Sequence, residues 1–227
     1  MEENNRRAMR ITISSYGAIL GIAGIEHGIG EILQGNTTPN GIVIESWPNS
    51  DLYEPLSGEP AMTIIPNLLI TGILAIIVSL ILIIWTSAFI QKKHGGLILI
   101  LLSFILLFVG GGFGPPIIGF MVGLAATRIN SQFNWWNKHV SVNARSSLSK
   151  MWLYSYISSI ISWFSLWPGI IILVYFTGFQ NSLIVIILTL FSFGTLIFTI
   201  FSGFAHGSVN NISDNKQDKE LEGALHV

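Results

Sequence analysis

The chain has 227 residues, 51% of them hydrophobic and only 10% charged, with a net charge of −1. Soluble domains carry about a quarter charged residues, so this composition excludes an ordinary soluble domain and describes a polytopic membrane protein. There is no cysteine, which excludes disulfides, thiolate metal sites and thiol catalysis.

Residues 1–10 are polar and basic, with Arg6, Arg7 and Arg10, and read as a short cytoplasmic N-terminus. No small-residue cleavage site follows, so the first apolar helix, about Ile11 to Leu33, is expected to stay in place. Its second half, GIAGIEHGIGEILQG, carries Glu26, His27 and Glu31. Ionisable groups at membrane depth cost roughly 2.5–3.5 kcal/mol each and are kept for a partner or a task. Gly17, Gly21, Gly24 and Gly28 share one helical face and allow close helix packing. Glu31 continues that face, His27 flanks it, and Glu26 points the opposite way. His27 and Glu31, one turn apart, can share a proton or bind a cation. The opposing reading places them in hydrated headgroups, where the energetic cost of their charge mostly disappears.

Residues 34–60 form an outer loop holding Glu45, Asp51, Glu54 and Glu59 and not one Lys or Arg. Ile42 to Trp47 reads as a short strand or an interfacial dip, with Trp47 and Tyr53 at headgroup level. The second helix, Leu68 to Ile90, has no charge and follows Pro66-Asn67; a basic turn, Gln91 to Gly96, comes next. Residues 97–127 are apolar but broken by Gly110, Gly111, Gly112, Phe113, Gly114, Pro115 and Pro116. The break predicts a hairpin, with one arm at 97–112 and the other from 116 to about 133. It is either two short spans or a re-entrant pair. Broken helices can offer backbone groups to ions or solutes, whereas a plain turn offers nothing. Gly119 and Gly123 form a second small-residue face and are the expected partner of the first.

The basic cytoplasmic loop 128–150 contains Trp135 and Trp136. A fifth helix is predicted at about 151–177, kinked at Pro168, and a sixth from about Ser182 to Ala205. Hydroxyl stripes run along both, and antiparallel neighbours would pair Ser162 with Thr195 and Ser158 with Thr199. The stripes are either a polar path or ordinary interhelical hydrogen bonds, worth about 0.6 kcal/mol each. Residues 207–227 read as a disordered cytoplasmic tail. His94, His139 and His206 lie on separate segments without a ligand motif, so no metal and no cofactor is expected.

The expected architecture is therefore all-α, a membrane helical bundle of about six transmembrane segments, one membrane domain over 11–206. The hairpin puts all 11 Lys and Arg and both termini on the cytoplasmic side of the cell membrane. The Ile- and Asn-rich vocabulary points to a microbial, prokaryotic source. The leading expectation is a small transporter or channel-like protein for a cation- or proton-linked solute, with His27, Glu31 and Glu26 as its site. Its activity should depend on external pH and disappear in Glu31→Gln. The alternative is a non-catalytic membrane scaffold or accessory subunit. A third reading is a lipid-modifying enzyme, although no catalytic motif is visible. Partners are the lipid bilayer, a small solute or cation, and a homo-oligomeric copy or membrane partner. No nucleic acid is expected.

Overall fold

The computed structural model describes residues 2–130, 134–178 and 181–225. Its helices are α1 (Glu2–Leu33), α2 (Leu68–Ile84), α3 (Gly95–Phe108), α4 (Gly114–Ala126), α5 (Asn134–His139), α6 (Val142–Phe164), α7 (Ile170–Thr177) and α8 (Ser182–Leu225). Among the described residues, four helical stretches are long and apolar enough to cross a membrane: Arg6–Leu33, Leu68–Phe89, Val142–Thr177 and Ser182–Asn210. Helices α3 and α4 are apolar but have 14 and 13 residues. At 1.5 Å per residue they extend about 20 Å, short of a hydrocarbon core about 30 Å thick. Large apolar side chains cover the outside of the bundle, with Phe176 77% and Leu190 70% exposed. That is the surface a lipid-facing bundle presents.

Helix α1 is the central post. One face carries the glycines, and the neighbour they admit is α2 rather than the expected α4. A Cβ on Gly17 would strike Thr86, one on Gly21 Ile83, one on Gly24 Ser79, and one on Gly28 the Gly72 carbonyl, 2.6 Å away. The reason lies in α2, whose Gly72, Ala75 and Ser79 form a small-residue face of matching pitch. Gly119 and Gly123 instead bring α4 against Ser103 and Ile100 of α3. Gly24→Leu should therefore lower stability in detergent by about 1–3 kcal/mol, the usual penalty for overpacking. An unchanged melting temperature would mean that α1 and α2 do not touch there.

The opposite face of α1 binds α6 through polar pairs. Tyr16 bonds Ser159, Ser15 Oγ lies 2.7 Å from Tyr156 Oη, and Trp152 Nε1 donates to Thr12 Oγ1 at 3.2 Å. Met9, Ile13, Tyr16 and Leu20 form the buried centre with Leu82, Leu99, Val122 and Leu196.

Several boundaries differ from expectation. Helix α1 starts at Glu2, so the basic segment 1–10 is mostly helical; Arg6 donates to Asn130 Oδ1 at 3.1 Å. The fourth helix ends at Ala126, and its expected end near 133 lies outside the described residues. Of the basic loop's two indoles, Trp136 packs on Phe204, and the Trp135 side chain lies outside the described residues. Helix α6 begins at Val142 because Ser141 caps it, accepting from Ala144 N at 3.3 Å. Pro168, the expected kink, sits in a π turn, Ser165–Gly169, that leads into α7. Helix α8 continues to Leu225 through the segment read as disordered. Its Lys, Glu and Leu residues are good helix formers once an upstream helix supplies the nucleus.

Residues 34–67 fold into a cap over one end of α1. Strands β1 (Val43–Glu45) and β2 (Pro60–Met62) pair antiparallel, with Ile44 opposite Ala61. The chain leaving α3 joins their edge: Ile64 N donates to Phe108 O at 3.1 Å, and Gly110 N to Met62 O at 2.9 Å. Trp47 and Tyr53 stack at 4.7 Å, and Trp47 lies against α1 at Gly30.

Candidate functional site

Two glycines decide what can lie beneath the cap. Gly110 and Gly112 both have positive φ, 90° and 75°, a conformation that glycine adopts without steric penalty. A Cβ on Gly110 would strike the Glu31 carboxylate, and one on Gly112 the His27 ring. The break after α3 therefore presses its bare backbone onto the two ionisable groups of α1. Gly110 N–H is taken by Met62 O, and Gly111 N–H by Leu106 O at 2.9 Å. Those two N–H groups are spent on the fold. Pro115 and Pro116 occupy the first turn of α4, where a missing N–H is harmless.

His27 is 3% exposed and held at both nitrogens. Nδ1 lies 2.8 Å from Ser46 Oγ, and Nε2 lies 2.8 Å from Glu59 Oε2. Ser46 follows β1, Glu59 precedes β2, and Ser46 N–H donates to Glu59 O at 3.1 Å. The hairpin register thus delivers both imidazole partners together. Glu31 is fully buried, and neither carboxylate oxygen has a hydrogen-bond partner. The Ser46 hydroxyl lies beside it, so Ser46 stands between Glu31 and His27. The two groups lie under one loop, and the Ser46 hydroxyl lies beside both.

Glu26 points away from the glycine face of α1, and the cap folds over it. One ligand atom each from Glu26, His27 and Glu59 lies within 4.8 Å of the others. Both Glu26 oxygens are buried without a hydrogen-bond partner, with Tyr53 and Trp47 beside them. Burial first, and then the Glu26 carboxylate, hold the Tyr53 phenol well above its ordinary range. Between Arg10 and Lys92 the sequence contains six acids and no Lys or Arg.

A cavity of about 190 Å³ adjoins the site. His27 and Glu59 line one part of it, and Phe113, Ile118, Trp163 and Trp167 supply apolar wall. The Trp167 indole N–H is buried without a partner. Glu31 does not line this cavity.

The hydroxyl stripes of α6 and α8 meet each other in part. Ser162 pairs with Thr195 at 3.3 Å, as expected, but the second pair is Ser155 with Ser202 at 3.0 Å. Ser158 lies in a groove beside Tyr154 and Ile161. Thr199 donates to the Thr195 carbonyl at 2.8 Å. Most of these hydroxyls also bond a carbonyl three or four residues back, which leaves them with little capacity for a solute. Of the other histidines, His206 Nδ1 is 3.1 Å from Ser149 Oγ and its ring lies on Trp152, whereas His94 sits in the turn before α3.

Ser46, Glu59 and Tyr53 were not legible in the sequence as site residues. Glu59 stood out only as one acid among four in the loop. The hairpin register, a long-range property, is what singles it out. Compared with protein-family models, with curated proteins and with solved structures, the chain matches none.

Proposed function

We propose that the protein is a small cation- or proton-linked membrane transporter of the cell membrane. The observation that carries this reading is the His27–Glu59 pair, 2.8 Å apart, at the edge of a largely apolar cavity in a region without Lys or Arg. A carboxylate–imidazole pair binds and releases a cation, and the cavity has room for a small solute. In this reading α1, α2, α3, α4, the α6–α7 pair and α8 are six crossings. The cap faces outward, and both termini lie in the cytoplasm with every Lys and Arg. The short α3 and α4 suffice because their connection ends beneath the cap rather than in open water.

Two measurements test it. Reporter fusions at Ser141 and at the C-terminus should both read cytoplasmic; an external signal at Ser141 would overturn the six-crossing arrangement. In proteoliposomes, an imposed cation gradient should drive solute flux in the wild type and not in Glu31→Gln. Flux absent for every solute and cation screened would overturn transport, and equal flux in both would overturn the part given to Glu31. One observation favours the scaffold reading instead: Glu31 itself is sealed from the cavity. In that case the cap and its glycine loop form a contact surface, and the protein moves no solute.

A further inference from the structure

We propose that Glu26, His27 and Glu59 form a site for a divalent transition-metal ion of the zinc class, which ties the cap to α1. Three donors converge there from two separate elements, with one ligand atom each inside 4.8 Å. Zinc bonds to imidazole nitrogen and carboxylate oxygen are about 2.0–2.2 Å long, so a bound ion needs its donors roughly 3.3 Å apart. The present spacing reaches that with small side-chain movements.

The hydrogen-bond inventory independently points to a missing cation. Both oxygens of Glu26 are buried without a hydrogen-bond partner. No Lys or Arg occurs between residues 10 and 92 to neutralise them. Buried carboxylates persist when they are paired or when they hold a metal.

Ser46 supplies the positioning. Its hydroxyl has one proton and two claimants, His27 Nδ1 at 2.8 Å and Glu31. Given to Glu31, that proton leaves the serine oxygen to accept Nδ1–H from the imidazole. Nε2 then presents a lone pair toward Glu59 Oε2 at 2.8 Å. A positive charge between them, a proton or a metal ion, makes that contact favourable. An imidazole whose outer N–H is fixed by a hydrogen bond, with its other nitrogen bare, is the arrangement metal sites use.

The donor set chooses among metals. One nitrogen and two carboxylates suit zinc and its neighbours, whereas calcium and magnesium require more oxygen ligands. Three protein ligands leave a fourth position, and the cavity beside His27 and Glu59 gives a water or solute room to take it. The inference does not depend on transport, because binding is measured without flux.

The test uses the full chain in detergent, stripped with a chelator and titrated with ZnCl2, MgCl2 or CaCl2. Zinc should bind one per chain and raise the melting temperature, whereas magnesium and calcium should do neither. Ser46→Ala should weaken zinc binding by roughly 10–100-fold, the usual effect of losing an outer-shell partner. His27→Gln and Glu26→Gln should each abolish the thermal shift. Cu2+ added to the wild type should show coupling to one imidazole nitrogen, a readout that requires no variant to fold. That coupling should survive when His94, His139, His206 and His226 are all changed to Ala. The proposal is overturned by the absence of one-to-one zinc binding, by equal response to calcium or magnesium, by wild-type binding in Glu26→Gln, or by loss of the nitrogen signal in the quadruple variant.

Discussion

Gly112→Ala should destabilise the protein by about 2–5 kcal/mol, and Gly110→Ala by a similar amount. Two effects add. A side chain at positive φ costs about 1–2 kcal/mol, and overpacking adds about 1–3 kcal/mol. The overpacking is specific, because the new methyl would meet the His27 ring at position 112 and the Glu31 carboxylate at position 110. Two other glycines separate the terms. Gly178 has φ of 63° but meets nothing within 4 Å among the described residues, so Gly178→Ala reports the backbone effect alone. Gly114 has neither positive φ nor a close neighbour, so Gly114→Ala should lie within about 0.5 kcal/mol of wild type. Thermal unfolding in one detergent compares all four. If Gly112→Ala loses no more than Gly178→Ala, the loop does not rest on His27.

The second large effect is an opposition between stability and activity at Glu31. A fully buried carboxyl with no hydrogen-bond partner is a poor structural element. Replacing it with an apolar side chain of similar length removes the desolvation penalty, so Glu31→Met should stabilise the fold by about 1–3 kcal/mol. The same change should abolish cation-driven flux, as Glu31→Gln does. Stability gained where function is lost is the pattern expected of a group retained for its task. A lower melting temperature in Glu31→Met would show instead that the carboxylate holds the loop or the cap in place.

The sequence alone determined the features that depend on local composition and period. Runs such as Leu68 to Ile84 can satisfy their backbone only as helices, and Asn67 before that run is a cap by its chemistry: its side chain accepts from Ile70 N at 3.0 Å. Gly110 to Pro116 had to interrupt a helix, and the placement of Glu26, His27 and Glu31 along α1 follows from helical pitch. The tertiary structure decided which surfaces meet. The α1 glycines could accept any small-residue face, and only the close fit of Gly72, Ala75 and Ser79 selects α2 over α4. Glu59 reaches His27 because Ile44 pairs with Ala61, a register that no local pattern encodes. Glu26 appears on a helical wheel as the residue facing away. It joins the cluster because the cap supplies Glu59 on its side of the helix, a fact about a chain segment more than 30 positions distant.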